Sequence, residues 1–318
     1  MGRTCHLLGA PVQSGAGLPG CQMGPESLRT AGLFNVLQQL DWEVTDLGDI
    51  GPDRGPAPGS PNPVLHNLAE TADWIRTLSE AAYEVGQNCD VPVFMGGDHS
   101  MSGGTVPAMA RRAADTGQPL FVLWLDAHPD LHTLGSTTSG NLHGTPVAYF
   151  TGAEGFEAYP PLVAAVDPKH LMMMGIRSVD PAESQRIQDL GMDVVDMRAI
   201  DEHGVVAPIR SFLEHVEAAN GHLHVSFDVD FLDPEIAPAV GTTVPGGPTF
   251  REAHLITEML ADSGRVTSLD LVELNPFLDE RGRTAMLMTD LTASLFGRRI
   301  FDGRNRDLIQ RPEYGSFR

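Results

Sequence analysis

Apolar residues recur along this chain in two alternating rhythms. Short strand-like runs, several of them apolar on consecutive positions, fall at residues 6–9, 91–95, 120–125, 171–174, 222–227 and 266–271, and these predict strands. Consecutive apolar side chains are what a strand covered on both faces requires, so the pattern points to a mostly parallel sheet. Between the runs, apolar positions at helical spacing predict helices. Residues 65–85 place Leu68, Ala72, Ile75, Leu78 and Ala82 on one face, and residues 25–40 open on Pro25, a favoured first helical residue. Further helices are predicted over 105–114, 180–190 (Asp180-Pro181 reads as a cap), 205–219 and 250–263. Strands and helices alternating in this way build βαβ units.

On this reading all 318 residues form one α/β domain, a length that such folds reach without dividing. Residues 51–63 hold five prolines and three glycines. They read as a surface loop, because the βαβ pattern continues unchanged beyond them. The polar, Arg-rich segment from about residue 305 is expected to be a loosely held end or an arm reaching another subunit.

Composition narrows the function classes. Apolar content of 42 % and charged content of 20 % are ordinary for a globular protein. No apolar run approaches the length of a membrane span, and Met1-Gly2-Arg3-Thr4 leads directly into a strand-like stretch, so neither a span nor a secretory signal is expected. A formal charge of −21 argues against nucleic-acid binding, which needs a basic face. It favours cationic small molecules by long-range attraction. Cys5, Cys21 and Cys89 are odd in number and form no CxxC pair, which fits three buried thiols in a reducing cytoplasm better than a disulfide or zinc framework.

The chemistry lies where the predicted strands end. Three runs each follow an apolar stretch: Met95-Gly96-Gly97-Asp98-His99-Ser100, Asp126-Ala127-His128-Pro129-Asp130, and Ser226-Phe227-Asp228-Val229-Asp230-Phe231. In an open α/β sheet, sites form beyond the carboxyl ends of the strands. Residues two apart on extended backbone point the same way. Asp126, His128 and Asp130 can therefore converge, as can Asp228 and Asp230, with His99 arriving from a third strand. Any one Asp-x-Asp or lone His is usually a cap or turn residue; three such runs at strand ends form a site. Carboxylates and imidazoles without a thiolate favour Mn²⁺, with Co²⁺, Ni²⁺ or Fe²⁺ also suited. Four aspartates balance two divalent ions, and a pair roughly 3.5 Å apart acidifies a shared water.

These motifs resemble the signatures of the ureohydrolase superfamily, which holds arginases, agmatinases and related guanidino hydrolases. The resemblance runs from about residue 5 to 299 and includes Gly9-Ala10-Pro11 and Leu269-Asp270-Leu271-Val272-Glu273-Leu274-Asn275-Pro276. It implies a three-layer αβα fold around a mostly parallel sheet of about eight strands, and two Mn²⁺ per subunit. Carried over by position, His99, Asp126, Asp130 and Asp228 would hold one ion, and Asp126, His128, Asp228 and Asp230 the other. Within the superfamily, Thr137-Thr138-Ser139-Gly140-Asn141-Leu142-His143-Gly144 looks like arginase. The resemblance then gives Ser139 and Asn141 the substrate α-carboxylate, Asp180 with nearby Glu183 the α-amino group, and Thr242 a place in the pocket wall. Glu273 would clamp the guanidinium, His143 would carry a proton to the leaving amine, and Asp130 would serve the reaction from the metal site. Two positions depart from the arginase pattern: His132 stands where Asn is frequent, and Ser178 replaces a frequent acid. Both flank the amino-acid end of the pocket, and His132 is counted with the substrate-binding residues.

The activity so implied is hydrolysis of L-arginine to L-ornithine and urea by a cytoplasmic homo-oligomer, a trimer or hexamer. Agmatine, guanidinobutyrate or guanidine are alternative substrates, but they lack one or both α-groups and would leave Ser139, Asn141 and Asp180 without partners. A nucleotide-dependent oxidoreductase is a more distant alternative, from Gly15-Ala16-Gly17-Leu18-Pro19-Gly20, which matches G-x-G-x-x-G after a strand. Against it, Pro19 interrupts the turn and the next helix is predicted only near Pro25, so a phosphate would lack a helix N-terminus. A non-catalytic, regulatory member of the family is a third possibility, opposed by the intact ligand set.

Overall fold

The computed structural model describes residues 2–299 apart from 57 and 61. The polar segment from about residue 305 lies outside the described residues. In chain order the elements are β1 (Thr4–Ala10), α1 (Gly24–Thr30), α2 (Leu33–Gln38), β2 (Glu43–Asp49), α3 (Leu68–Gln87), β3 (Val91–Gly96), α4 (Ser102–Asp115), β4 (Leu120–Leu125), α5 (Pro146–Phe150), β5 (Leu171–Ile176), α6 (Pro181–Leu190), β6 (Asp193–Asp196), α7 (Met197–His203), α8 (Val206–Ala218), β7 (His222–Asp228), α9 (Phe250–Ser263), β8 (Val266–Val272) and α10 (Arg283–Leu295).

The eight strands form one sheet in the order β2-β1-β3-β8-β7-β4-β5-β6, and every pairing is parallel. The last two strands of the chain thus insert between β3 and β4 at the centre. Side chains alternate across the sheet into two cores. Phe121, Leu123, Leu125, Val225, Phe227, Leu269 and Leu271 pack against α1, α2 and α7–α10. Val122, Trp124, Phe94 and Met173 pack against α3, α4 and α5. Burial on both faces explains the continuous apolar runs of the inner strands. Three layers, αβα, result.

Six strands lie where the apolar runs place them, and α9 matches residue for residue. Thr249 and Glu252 form a reciprocal capping box at its start, and left-handed Gly264 ends it. The helix predicted over 25–40 is instead two, because Gly32 adopts φ 89° between α1 and α2, a conformation that interrupts a right-handed helix. Both edge strands, β2 and β6, escape the apolar pattern. Only one residue of β6 is buried and none of β2. No helix among the described residues is long and apolar enough to cross a membrane.

Register aligns the ends of the four central strands. Met95 pairs with Leu271, Leu271 with Phe227, and Phe227 with Leu125. The residues just after β3, β8, β7 and β4 are therefore level with one another at one edge of the sheet.

Candidate metal centre and active site

That edge gathers the chemistry. After β3, Gly97 presses against the Val12 backbone, where a Cβ would lie 1.7 Å from Val12 O; only glycine fits there. Asp98 then caps the short turn carrying His99, accepting from Ser100 N (2.9 Å) and Gly15 N (2.8 Å). Asp130 and Glu273, which follow β4 and β8, both hold positive φ, 48° and 64°. Left-handed backbone at non-glycine residues costs of order 1–3 kcal/mol each and gathers at functional sites.

The structure brings all six sequence-predicted metal ligands together. His99 Nδ1 stands 2.9 Å from Asp228 Oδ2, 3.0 Å from Asp126 Oδ2 and 3.3 Å from Asp130 Oδ2. His128 Nδ1 stands 3.0 Å from Asp230 Oδ2 and 3.5 Å from Asp126 Oδ1. Two overlapping triads, His99-Asp126-Asp130 and Asp126-His128-Asp230, each hold their ligand atoms within 4.8 Å of one another, and Asp126 belongs to both. His99, Asp126, Asp130, Asp228 and Asp230 are all buried.

Such a cluster of buried acids does not stand without positive charge. Burial, then Asp230 and Asp126, push the Asp228 carboxyl well above the ordinary range, and burial with Asp126 does the same to Asp130. Burial pulls His99 down, but Asp126, Asp130 and Glu273 outweigh it and raise the imidazole to about 9. Burial likewise opposes, and Asp126 and Asp230 reverse, a shift that brings His128 to about 12. The negative charge concentrated here is relieved by bound protons or, in their place, by cations. His99 Nδ1 and Asp126 Oδ2 are moreover buried without any hydrogen-bond partner, and each points into the cluster. Oxygen and imidazole donors, no sulfur and two unpartnered ligand atoms fit divalent cations.

His99 is held on its other sides. Its ring stacks on Trp124 with centroids 4.0 Å apart and planes 1° apart, and its Nε2 lies 2.8 Å from Ser226 Oγ. Fixing the second nitrogen in this way orients a metal-binding imidazole.

Beside the cluster, Glu273 Oε1 accepts from His99 N at 2.8 Å and lies 2.9 Å from His143 Nδ1. Burial disfavours both charges, yet the pair reverses it: Glu273 is held below the ordinary carboxylate range and His143 is raised. The His/Asp cluster, Glu273 and His143 line one cleft of about 140 Å³, with Ser139, His132, Asp180 and Glu183 also in its wall. Thr242 lines it too, donating to Asp230 Oδ2 at 3.1 Å. Asn141 lies in an adjoining pocket that shares His143, Thr242 and Glu273.

Several predicted residues carry structural duties as well. Glu183 accepts from Leu131 N and Asp180 N, both at 3.0 Å, closing the capping box of α6 onto the loop after β4. His132 Nε2 lies 3.0 Å from Asp180 Oδ2. Arg177 was given no role by the sequence, yet it braces the β7 loop. Its guanidinium donates to the carbonyls of Asp230 (2.6 Å), Val244 (2.7 Å) and Phe231 (3.2 Å). An arginine inside an otherwise small, polar loop was the one signal for it. Ser226 and Trp124 gave none, because each fits its strand pattern.

The Gly15–Gly20 loop does not cradle a phosphate. Only a short turn follows it, and α1 begins at Gly24. Its backbone serves the site instead, with Gly15 O accepting from His143 N at 3.2 Å. The side chain of Asn275 fills the space beside Gly20.

Comparison with known proteins agrees with this geometry. The family model of the arginase family matches residues 3–297. Arginase of Agrobacterium fabrum is 64% identical over 300 residues, covering 94% of this chain and 93% of the relative. Arginase of Bacillus subtilis is 36% identical and covers 94% of this chain and 100% of the relative. A crystal structure of that Bacillus subtilis enzyme superposes with a TM-score of 0.85, covering 94% of this chain and 100% of that one. Entamoeba histolytica arginase in complex with L-ornithine superposes with a TM-score of 0.81 at 27% identity, covering 93% and 98%.

Proposed function

This chain belongs to the arginase family and is a hydrolase of guanidino groups; on that premise we propose that it converts L-arginine and water to L-ornithine and urea, with two Mn²⁺ per subunit. The observation that carries the reading is the single cleft shared by the His/Asp cluster, the Glu273–His143 pair, and Ser139 and Asp180 at its wall.

His99, Asp126, Asp130 and Asp228 would hold one ion, and Asp126, His128, Asp228 and Asp230 the other. When bound, such a pair supplies the Lewis acidity that makes water nucleophilic near neutral pH. The rest falls to the protein. Glu273, held in its charged form by His143, takes the guanidinium in charge-assisted hydrogen bonds and sets its carbon against the cluster. Ser139 and Asn141 donate to the α-carboxylate, and Asp180 accepts from the α-ammonium. Glu183 contributes by fixing Asp180 and the loop at Leu131. As the C–N bond to the ornithine nitrogen breaks, that nitrogen must gain a proton. His143 is positioned for the transfer: burial opposes its charge, but Glu273 and Asp98 outweigh it and favour the protonated imidazole.

Arginine is favoured because agmatine lacks the α-carboxylate that Ser139 and Asn141 would bind and 4-guanidinobutyrate lacks the α-ammonium that Asp180 would accept from, so each leaves part of the head-group site without a partner. Assembly as a homo-oligomer in the cytoplasm belongs to the same reading. Urea release from L-arginine, agmatine and 4-guanidinobutyrate, measured side by side on Mn²⁺-loaded protein, tests it. L-arginine should exceed both others by at least about a hundredfold in kcat/KM. A preference for either of the others overturns the assignment.

A further inference from the structure

A second polar cluster lies beneath the site, sealed from solvent, and of its members only Ser226 has a part in the site as described so far. On adjacent β7 and β8, Ser226 pairs in register with Asp270 and His224 with Ser268, so all four side chains share the sheet face covered by α4. His224, Ser226, Ser268 and Asp270 are each 0% exposed. Asp270 Oδ2 accepts two hydroxyls from the first turn of α4, Ser102 Oγ at 2.7 Å and Thr105 Oγ1 at 2.6 Å. His224 Nε2 stands 3.4 Å from the same oxygen, and His224 Nδ1 stands 2.9 Å from Ser268 Oγ.

Burying a carboxylate this deeply is costly, and apolar side chains of similar volume usually stabilise a core as well or better. What Asp270 does that they cannot is directional. Its two hydroxyl bonds fix the rotation and height of α4 where that helix begins, and His99 stands three residues before Ser102. On the strand side, Asp270 lies three residues before Glu273, whose Oε1 accepts from His99 N. Ser226, the register partner of Asp270, holds His99 Nε2. Each neighbour of the cluster is thus one step from a group of the site.

We propose that Asp270, through Ser102 and Thr105, is a positioning residue that sets where His99 and Glu273 stand relative to the metal-binding carboxylates. This inference rests on the reading that His99 and its carboxylates hold Mn²⁺. Outer partners of metal ligands characteristically tune affinity about ten- to hundredfold. An ordinary core brace would alter stability alone.

The test is Mn²⁺ affinity of the metal-stripped full chain, read from the free-Mn²⁺ electron paramagnetic resonance signal. Asp270→Asn should bind about ten- to hundredfold more weakly than wild type, and Thr105→Val should be weakened in the same direction. Thr105→Ser, which keeps the hydroxyl, should match wild type. Leu260→Ala, which opens a cavity on the opposite face of the sheet, should lose stability but not affinity. Should Asp270→Asn fail to fold, the Thr105→Val and Thr105→Ser pair decides the matter. Wild-type affinity in Asp270→Asn and Thr105→Val, or an equal loss in Leu260→Ala, overturns this inference alone. A wild-type chain that binds no Mn²⁺ overturns the metal reading along with it.

Discussion

His132 Nε2 stands 3.0 Å from Asp180 Oδ2, while its Nδ1 stands 3.1 Å from Ser136 Oγ. The Asp180 carboxylate accepts from Nε2 across this contact, and Ser136 Oγ, which accepts from Thr133 N at 2.9 Å, holds the other side of the ring. On the proposed function, the histidine at this position would act on substrate through Asp180, the carboxylate it contacts in the cleft wall. Replacing it by Ala should raise KM for L-arginine about tenfold, the worth of one charge-assisted hydrogen bond, and leave kcat near wild type. Steady-state kinetics with 4-guanidinobutyrate, which has no α-ammonium, should be unchanged. An equal loss on both substrates contradicts this role.

Glu273→Gln keeps the size and an acceptor oxygen for His99 N but removes the charge that faces the guanidinium. Turnover should fall by at least about a hundred- to thousandfold, while Mn²⁺ content by elemental analysis matches wild type. Retained turnover would remove Glu273 from the mechanism.

Gly140 sits between Ser139 and Asn141 at φ 75°, and a Cβ there would come 1.8 Å from Val64 O. The obstruction is backbone, so the loop must move. Gly140→Ala should cost about 1–3 kcal/mol in denaturant melts and raise KM for L-arginine, since Ser139 and Asn141, the proposed partners of the α-carboxylate, shift with it. Wild-type stability and KM together would show that the loop adapts freely.

The edge strand β2 is tied to α1 by Arg29, whose Nε and Nη2 reach Asp46 at 2.8 and 3.1 Å and whose Nη1 reaches Asp49 at 2.6 Å. Burial pushes the Asp46 carboxyl up, but Arg29 and the Gly48 N–H outweigh it and hold the folded value below the ordinary 3.8. A depressed carboxylate stabilises the fold fully above its unfolded value and loses that contribution as pH falls through the folded one. Asp46→Asn should therefore melt below wild type near neutral pH, with the gap closing in acid below 3.8. A gap that widens in acid would reverse the sign.

What could be seen in the sequence follows burial. β3 and β4 are apolar on both faces and read as continuous runs, β7 alternates polar with apolar residues, and the ends of these three carry His99, Asp126, His128, Asp130, Asp228 and Asp230, so the cluster is legible with them. β2 was hidden because its sequence, Glu-Val-Thr-Asp-Leu-Gly-Asp, is that of a solvated edge. β6 has four residues, too short to show a period. The division of α1 from α2 depends on one left-handed glycine, which reads like any other glycine in a helical pattern. Asp270 sits inside a run that looks like plain strand, and Arg177 inside a loop whose recognisable residues are its neighbours Ser178 and Asp180. Their partners are far away in the chain, and spacing says nothing of such contacts.

On the proposed function, two cations gripped by this cluster make the chain a guanidino hydrolase. The decisive measurement strips the purified protein with a chelator, reloads it with Mn²⁺, and follows bound metal and urea release from L-arginine on the same samples. The stripped protein should show no turnover, and reloading should give about two Mn²⁺ per chain with activity rising in step. Full turnover in the stripped protein, or tight binding of two ions without any urea release, would contradict it.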